Sequence, residues 1–111
     1  MITPIRVRPA AIADVDDIAM YIGANSVERA LRFLDAIDET YRRIGDHPRS
    51  GAICDLHDAR FAELRRVPVV GHPNHLVFYI VRNRTIDVLR VLHGARDSQT
   101  LFLEETPEAE R

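Results

Sequence analysis

Arg65, Arg66, Arg90, His93 and Arg96 lie in the second half of a 111-residue chain, set among apolar runs. Arginine grips a phosphate with two parallel N–H donors, so this set could hold an anionic ligand or an acidic partner segment. His93 and Tyr79 add groups that can move protons. Each also has a simpler structural reading. A sheet tyrosine usually packs with its hydroxyl satisfied, Arg90 could pair with Asp87 or Glu63, and His93 could be a hydrogen-bonded strand-end residue. Strand parity puts Arg90 and His93 on opposite faces unless a bulge intervenes. His72 and His75 have H-x-x-H spacing but flank a proline turn without a third ligand, so no metal or cofactor is expected.

The elements that would position these groups follow from apolar periodicity. His75-Leu76-Val77-Phe78-Tyr79-Ile80-Val81 and Thr85-Ile86-Asp87-Val88-Leu89-Arg90-Val91-Leu92-His93 are two β-rich runs joined by Arg82-Asn83-Arg84, which predicts a hairpin. Both runs are apolar on both faces, which places them at the centre of a sheet. Upstream, residues 5–8 predict a short strand closed by Pro9. Ile12, Val15, Ile18, Ala19 and Ile22 then mark one face of a helix, with Asp14, Asp16 and Asp17 on its solvated side. Asn25 and Glu28 resemble a capping box opening a second helix, with a stripe of Val27, Ala30, Leu31, Leu34, Ile37, Tyr41 and Ile44. His47-Pro48-Arg49-Ser50-Gly51 stops it.

Residues 52–62 show no period and predict a loop, and residues 61–70 a strand that Pro68 keeps at an edge. The order is β-α-α-β-β-β with a possible short C-terminal helix. It predicts an α+β two-layer sandwich, a helical hairpin packed on a mostly antiparallel sheet. The face away from the helices would stay free for binding.

Composition sets the outer bounds. One domain is expected over residues 1–97, with an acidic extension over residues 98–111, part helical or frayed. No apolar run reaches a membrane span and no signal peptide is visible, so the expected location is the cytoplasm. Cys54 is the single cysteine, which rules out an intramolecular disulfide and fits a small structural residue. The formal charge is −2. The 15 basic residues are all arginine and are unevenly spread: 7 against 9 acids over residues 1–57, 7 against 4 over residues 58–97, and 1 against 4 in the tail. The sheet region is thus locally basic in a chain unsuited to coating nucleic acid.

In this order and spacing the segments resemble the RelE/ParE superfamily of type II toxin–antitoxin toxins. The matching pieces run from the first helix, Ala13-Asp14-Val15-Asp16-Asp17-Ile18-Ala19-Met20-Tyr21-Ile22, through His47-Pro48-Arg49-Ser50-Gly51 and Glu63-Leu64-Arg65-Arg66. They end in Val88-Leu89-Arg90-Val91-Leu92-His93-Gly94-Ala95-Arg96-Asp97.

The resemblance implies a toxin silenced by a ParD/RelB-like antitoxin, with operator DNA bound only through the complex. It leaves two activities open. RelE-like members cut mRNA on the ribosome, for which Arg65, Arg90 and His93 would be the catalytic set. ParE-like members inhibit DNA gyrase and need only a binding surface. The near-neutral charge, the Gly94-Ala95-Arg96-Asp97 ending and the apolar hairpin resemble the ParE branch more closely. The expectation is therefore a ParE-like, non-catalytic gyrase inhibitor. An mRNA endoribonuclease, or a degenerate member that binds antitoxin without toxicity, is the alternative. Target-binding residues would be Arg65, Arg66, Arg90, His93 and Arg96; antitoxin-binding residues Phe61, Val67, Val69 and Phe102.

Overall fold

A computed structural model describes residues 3–54, 56 and 58–94. Strand β1 (Ile5–Val7) leads into helix α1 (Pro9–Gly23), which Pro9 opens at a position where its missing N–H costs nothing. Helix α2 (Val27–Asp46) follows after a three-residue turn. Its N-cap is Ser26, whose Oγ accepts the Arg29 N–H at 3.1 Å, not Asn25 as the Asn25/Glu28 spacing predicts. Both residue types can cap, and the turn geometry selects the later one.

Four further strands complete the sheet: β2 (Ala52–Ile53), β3 (Arg65–Val69), β4 (His72–Arg82) and β5 (Thr85–His93). A single 3₁₀ turn spans Ala59–Phe61, so the predicted strand over residues 61–70 starts only at Arg65. The strand order is β1-β5-β4-β3-β2, antiparallel throughout except for the parallel β1–β5 pair. The two runs with apolar residues on both faces do lie inside the sheet, and the α+β sandwich is the observed architecture. Pro68 sits in β3 beyond the two residues that β2 pairs, where the strand is an edge and a missing donor is tolerated.

The helices bury a face rotated from the predicted stripes. On α2 the buried residues are Ala30, Phe33, Ile37, Thr40, Ile44 and Gly45, while Val27 and Leu31 stand in solvent. On α1 they are Ala11 and Val15, with Ile12 half exposed. These faces meet Val69, Val77, Tyr79, Ile86, Val88 and Val91 of the sheet.

The opposite sheet face is not left free. Residues 52–54, 56 and 58–64 fold back across it, and Cys54, Leu56, Phe61 and Leu64 form a second core with Phe78, Ile80, Leu89 and Leu92. A loop without period thus closes the second layer through these four residues, while Ile53 stays exposed. Burial pushes the Cys54 thiol pKa up, in keeping with an inert packed cysteine.

Candidate functional site

The β4–β5 ladder shifts register between Phe78 and Tyr79: Phe78 pairs with Arg90, but Tyr79 pairs with Val88. Leu89 is the extra residue, a bulge that turns Arg90 out of the regular alternation. Beyond Val88, β5 has lost its β1 neighbour, and α1 lies along the vacated edge. Asp14 fills the gap. Its carboxylate takes Arg90 Nε and Nη2 at 2.7 Å each and the Val91 N–H at 2.9 Å. One side chain therefore replaces the missing strand's acceptor and neutralises a buried guanidinium. The expected partners Asp87 and Glu63 are not the ones bound to Arg90 here, and Asp14 is no solvated residue.

Asp87 serves a different pair. It accepts Arg6 Nε and Nη2 at 3.0 and 3.3 Å and Arg8 Nη2 at 3.4 Å.

Tyr79 is fully buried. Its hydroxyl donates to the Pro48 carbonyl at 2.8 Å and accepts the Gly51 N–H at 3.0 Å. Arg65, paired with Tyr79 across β3–β4, donates Nη1 to the carbonyls of Arg49 at 3.0 Å and Gly51 at 2.8 Å. Together they clamp residues 47–51 onto the sheet. Gly51 is required at the point of closest approach, because a Cβ there would lie 2.6 Å from the Tyr79 hydroxyl.

His93 ends β5 in solvent, opposite His75. His72 and His75 stack edge-on against Phe33, and His75 against His93, at centroid distances of 5.2, 5.3 and 5.2 Å. Burial, then the neighbouring His93 and His72, lower the His75 pKa. His75 and His93 border an apolar cleft of about 390 Å³ with Ile18, Tyr21 and Ile22. Arg66 belongs elsewhere: it pairs with Phe78, whose side chain packs in the second core. The predicted residues are thus dispersed over three places, and Arg96 lies outside the described residues.

Of the residues expected to meet an antitoxin, Phe61 and Val69 are buried in the two cores and cannot line a groove. Val67 is partly buried against the helix-side core, and Phe102 lies outside the described residues. Another groove, of about 410 Å³, runs between α1 and α2. Ile12, Val15, Leu34 and Ile37 supply its apolar surface and Asp16 and Asp38 its charge. The Tyr41 hydroxyl is buried there with no hydrogen-bond partner among the described residues. Burial, then Asp38 and Asp14, push its pKa up to about 12. The signal in the sequence was Ile12 and Tyr41 themselves, taken there as plain core positions.

Over residues 5–98 the sequence matches the family described as ParE toxin of type II toxin-antitoxin system, parDE. Among solved structures, a chain from the chromosomal ParDE TA system from P. aeruginosa superposes with a TM-score of 0.67 at 19% identity. The match covers 85% of this chain and 98% of that one. No curated protein sequence matches.

Proposed function

The chain belongs to the ParE toxin family of type II toxin–antitoxin systems, and from that we infer that it arrests growth in the cytoplasm as a non-catalytic inhibitor of DNA gyrase. What supports a binding protein over a nuclease is the state of the polar side chains. Arg90 is bound to Asp14, Tyr79 to Pro48 and Gly51, and Arg65 to two loop carbonyls. Metal-free RNA cleavage needs a base, a charge stabiliser and an acid converging on one phosphate. Here Arg90, Tyr79 and Arg65 build the scaffold instead, and His93 stands apart at the strand end. Arg90 and Arg65 act as positioning residues, while Arg66 and Arg96 contribute target-facing charge and His93 a hydrogen-bonding ring.

A cognate antitoxin silences the toxin, and the groove between α1 and α2 is its docking site. The partner segment is amphipathic, with apolar side chains against Ile12 and Leu34 and basic ones near Asp16 and Asp38. A partner carbonyl would satisfy the buried Tyr41 hydroxyl, an unmet donor that otherwise costs about 1–3 kcal/mol. Inhibition of supercoiling by purified chain, gyrase and ATP on relaxed plasmid tests the target. Ribosome-dependent mRNA cleavage in its place would overturn the gyrase assignment.

A further inference from the structure

At the opposite end of β5 from His93, about 26 Å away at strand rise, the β4–β5 hairpin closes in a two-residue turn. Asn83 has φ 49° and Arg84 φ 65°. Two successive left-handed residues make the turn that matches strand twist, and glycine is the usual second residue. An arginine, which carries a Cβ, is disfavoured there in backbone conformation. Such a cost, kept at an exposed tip where no packing requires the side chain, points to a use for the charge.

The charge has company. Arg6, Arg82, Asn83, Thr85 and Asp87 line an open cleft of about 310 Å³ beside the tip. Arg8 approaches the same carboxylate, Asp87, that Arg6 grips. One carboxylate does not satisfy both guanidiniums, and Arg8 Nε is buried with no acceptor among the described residues. Arg82 and Arg84 have no carboxylate partner among the described residues. Four guanidiniums stand against the Asp87 carboxylate, with Glu63 sharing a neighbouring cleft with Arg82, a local excess of positive charge on a chain whose formal charge is −2.

We propose that this hairpin tip is a second binding site, independent of the toxin's target surface, for the backbone phosphates of nucleic acid. Arginine forks, an amide and a hydroxyl suit phosphate oxygens. A free nucleotide would need walls to enclose its base, and none of the residues lining the cleft is aromatic. An open cleft beside an exposed tip instead suits a polymer that supplies successive phosphates, read without sequence preference.

The test is fluorescence anisotropy of the full chain, free of antitoxin, with a labelled 20-base-pair DNA duplex, its RNA counterpart, pyrophosphate and polyglutamate as separate probes. Arg84→Gly is the informative variant, since it removes the charge while relieving the backbone. Arg82→Gln removes the second charge by a change of similar length. The expected result is salt-dependent DNA or RNA binding. Each variant should weaken it at least threefold and the double variant at least tenfold, with the log–log salt slope falling by about 0.9 per lost phosphate contact. Arg84→Gly should melt at or above the wild-type temperature. The proposal is overturned if nucleic acid does not bind at 50 mM salt, if the variants bind it unchanged, or if pyrophosphate or polyglutamate binds as tightly. Which of DNA and RNA binds more tightly identifies the polymer.

Discussion

Asp14 and Arg90 face each other across the boundary between α1 and β5, joined by two 2.7 Å hydrogen bonds while the same carboxylate receives the Val91 N–H. Removing Asp14 takes two charge-assisted hydrogen bonds from the buried Arg90 guanidinium and orphans the Val91 N–H. Asp14→Ala should cost about 3–5 kcal/mol. The Asp14→Ala/Arg90→Met double variant should cost less than Asp14→Ala alone. Urea denaturation of the two proteins checks the order.

Tyr79 and Gly51 form a lock on residues 47–51. Tyr79→Phe removes one hydroxyl and leaves the Gly51 N–H unmet, for a loss of about 1–3 kcal/mol. Gly51→Ala should be at least as damaging, because its Cβ overlaps the tyrosine hydroxyl. If Gly51→Ala is made on the Tyr79→Phe background, part of the penalty should disappear, which a double-mutant cycle measures.

Stability should fall in mild acid. His75 is held below the usual histidine range by burial and by His93 and His72. The folded state therefore resists a proton that the unfolded chain accepts. Its contribution is complete above the ordinary histidine value, about 6.5, and is lost as pH drops below it toward the lowered folded value. The urea midpoint should decline from pH 7.5 to pH 5.5, and His75→Gln should flatten that decline. Phe33, His72 and His93 surround the ring, with Asp17 across the cleft.

Ile12 is half exposed in the α1–α2 groove, so Ile12→Glu should leave the fold intact. The new carboxylate would replace an apolar contact with a charge desolvated against the apolar side chains assigned to the antitoxin. Antitoxin affinity should fall at least tenfold, roughly 1.4 kcal/mol or more. Toxicity of the free protein should persist, and titration calorimetry alongside growth curves separates the two.

The hairpin and the helical pair were legible in the sequence because their periodicity is long and their punctuation strong, as at Pro9 and Pro48. The buried helix faces were less so. A stripe through Val27 and Leu31 fits the period as well as one through Phe33 and Thr40, and only the sheet beneath decides. Thr40 shows why: its hydroxyl donates to the Ala36 carbonyl at 2.7 Å and accepts the Val70 N–H at 3.0 Å, tying α2 to the end of β3. No local pattern announces that link.

The site was harder still. Arg65, Tyr79 and Arg90 were visible as polar residues in apolar runs, but their partners are 14 to 76 residues away. Asp14, the acid that matters most to Arg90, stood in the sequence beside two other aspartates with nothing to set it apart. The second core escaped for a related reason: Cys54, Leu56, Phe61 and Leu64 have no periodicity until the sheet gathers them.

The gyrase assignment is tested most directly by incubating the purified full chain with gyrase, ATP and supercoiled plasmid, then scoring linear DNA after protease treatment. Toxin-dependent linear DNA that disappears when antitoxin is added first is the expected result. Growth-arresting, folded protein that leaves the plasmid uncut and supercoiling unimpaired would contradict it.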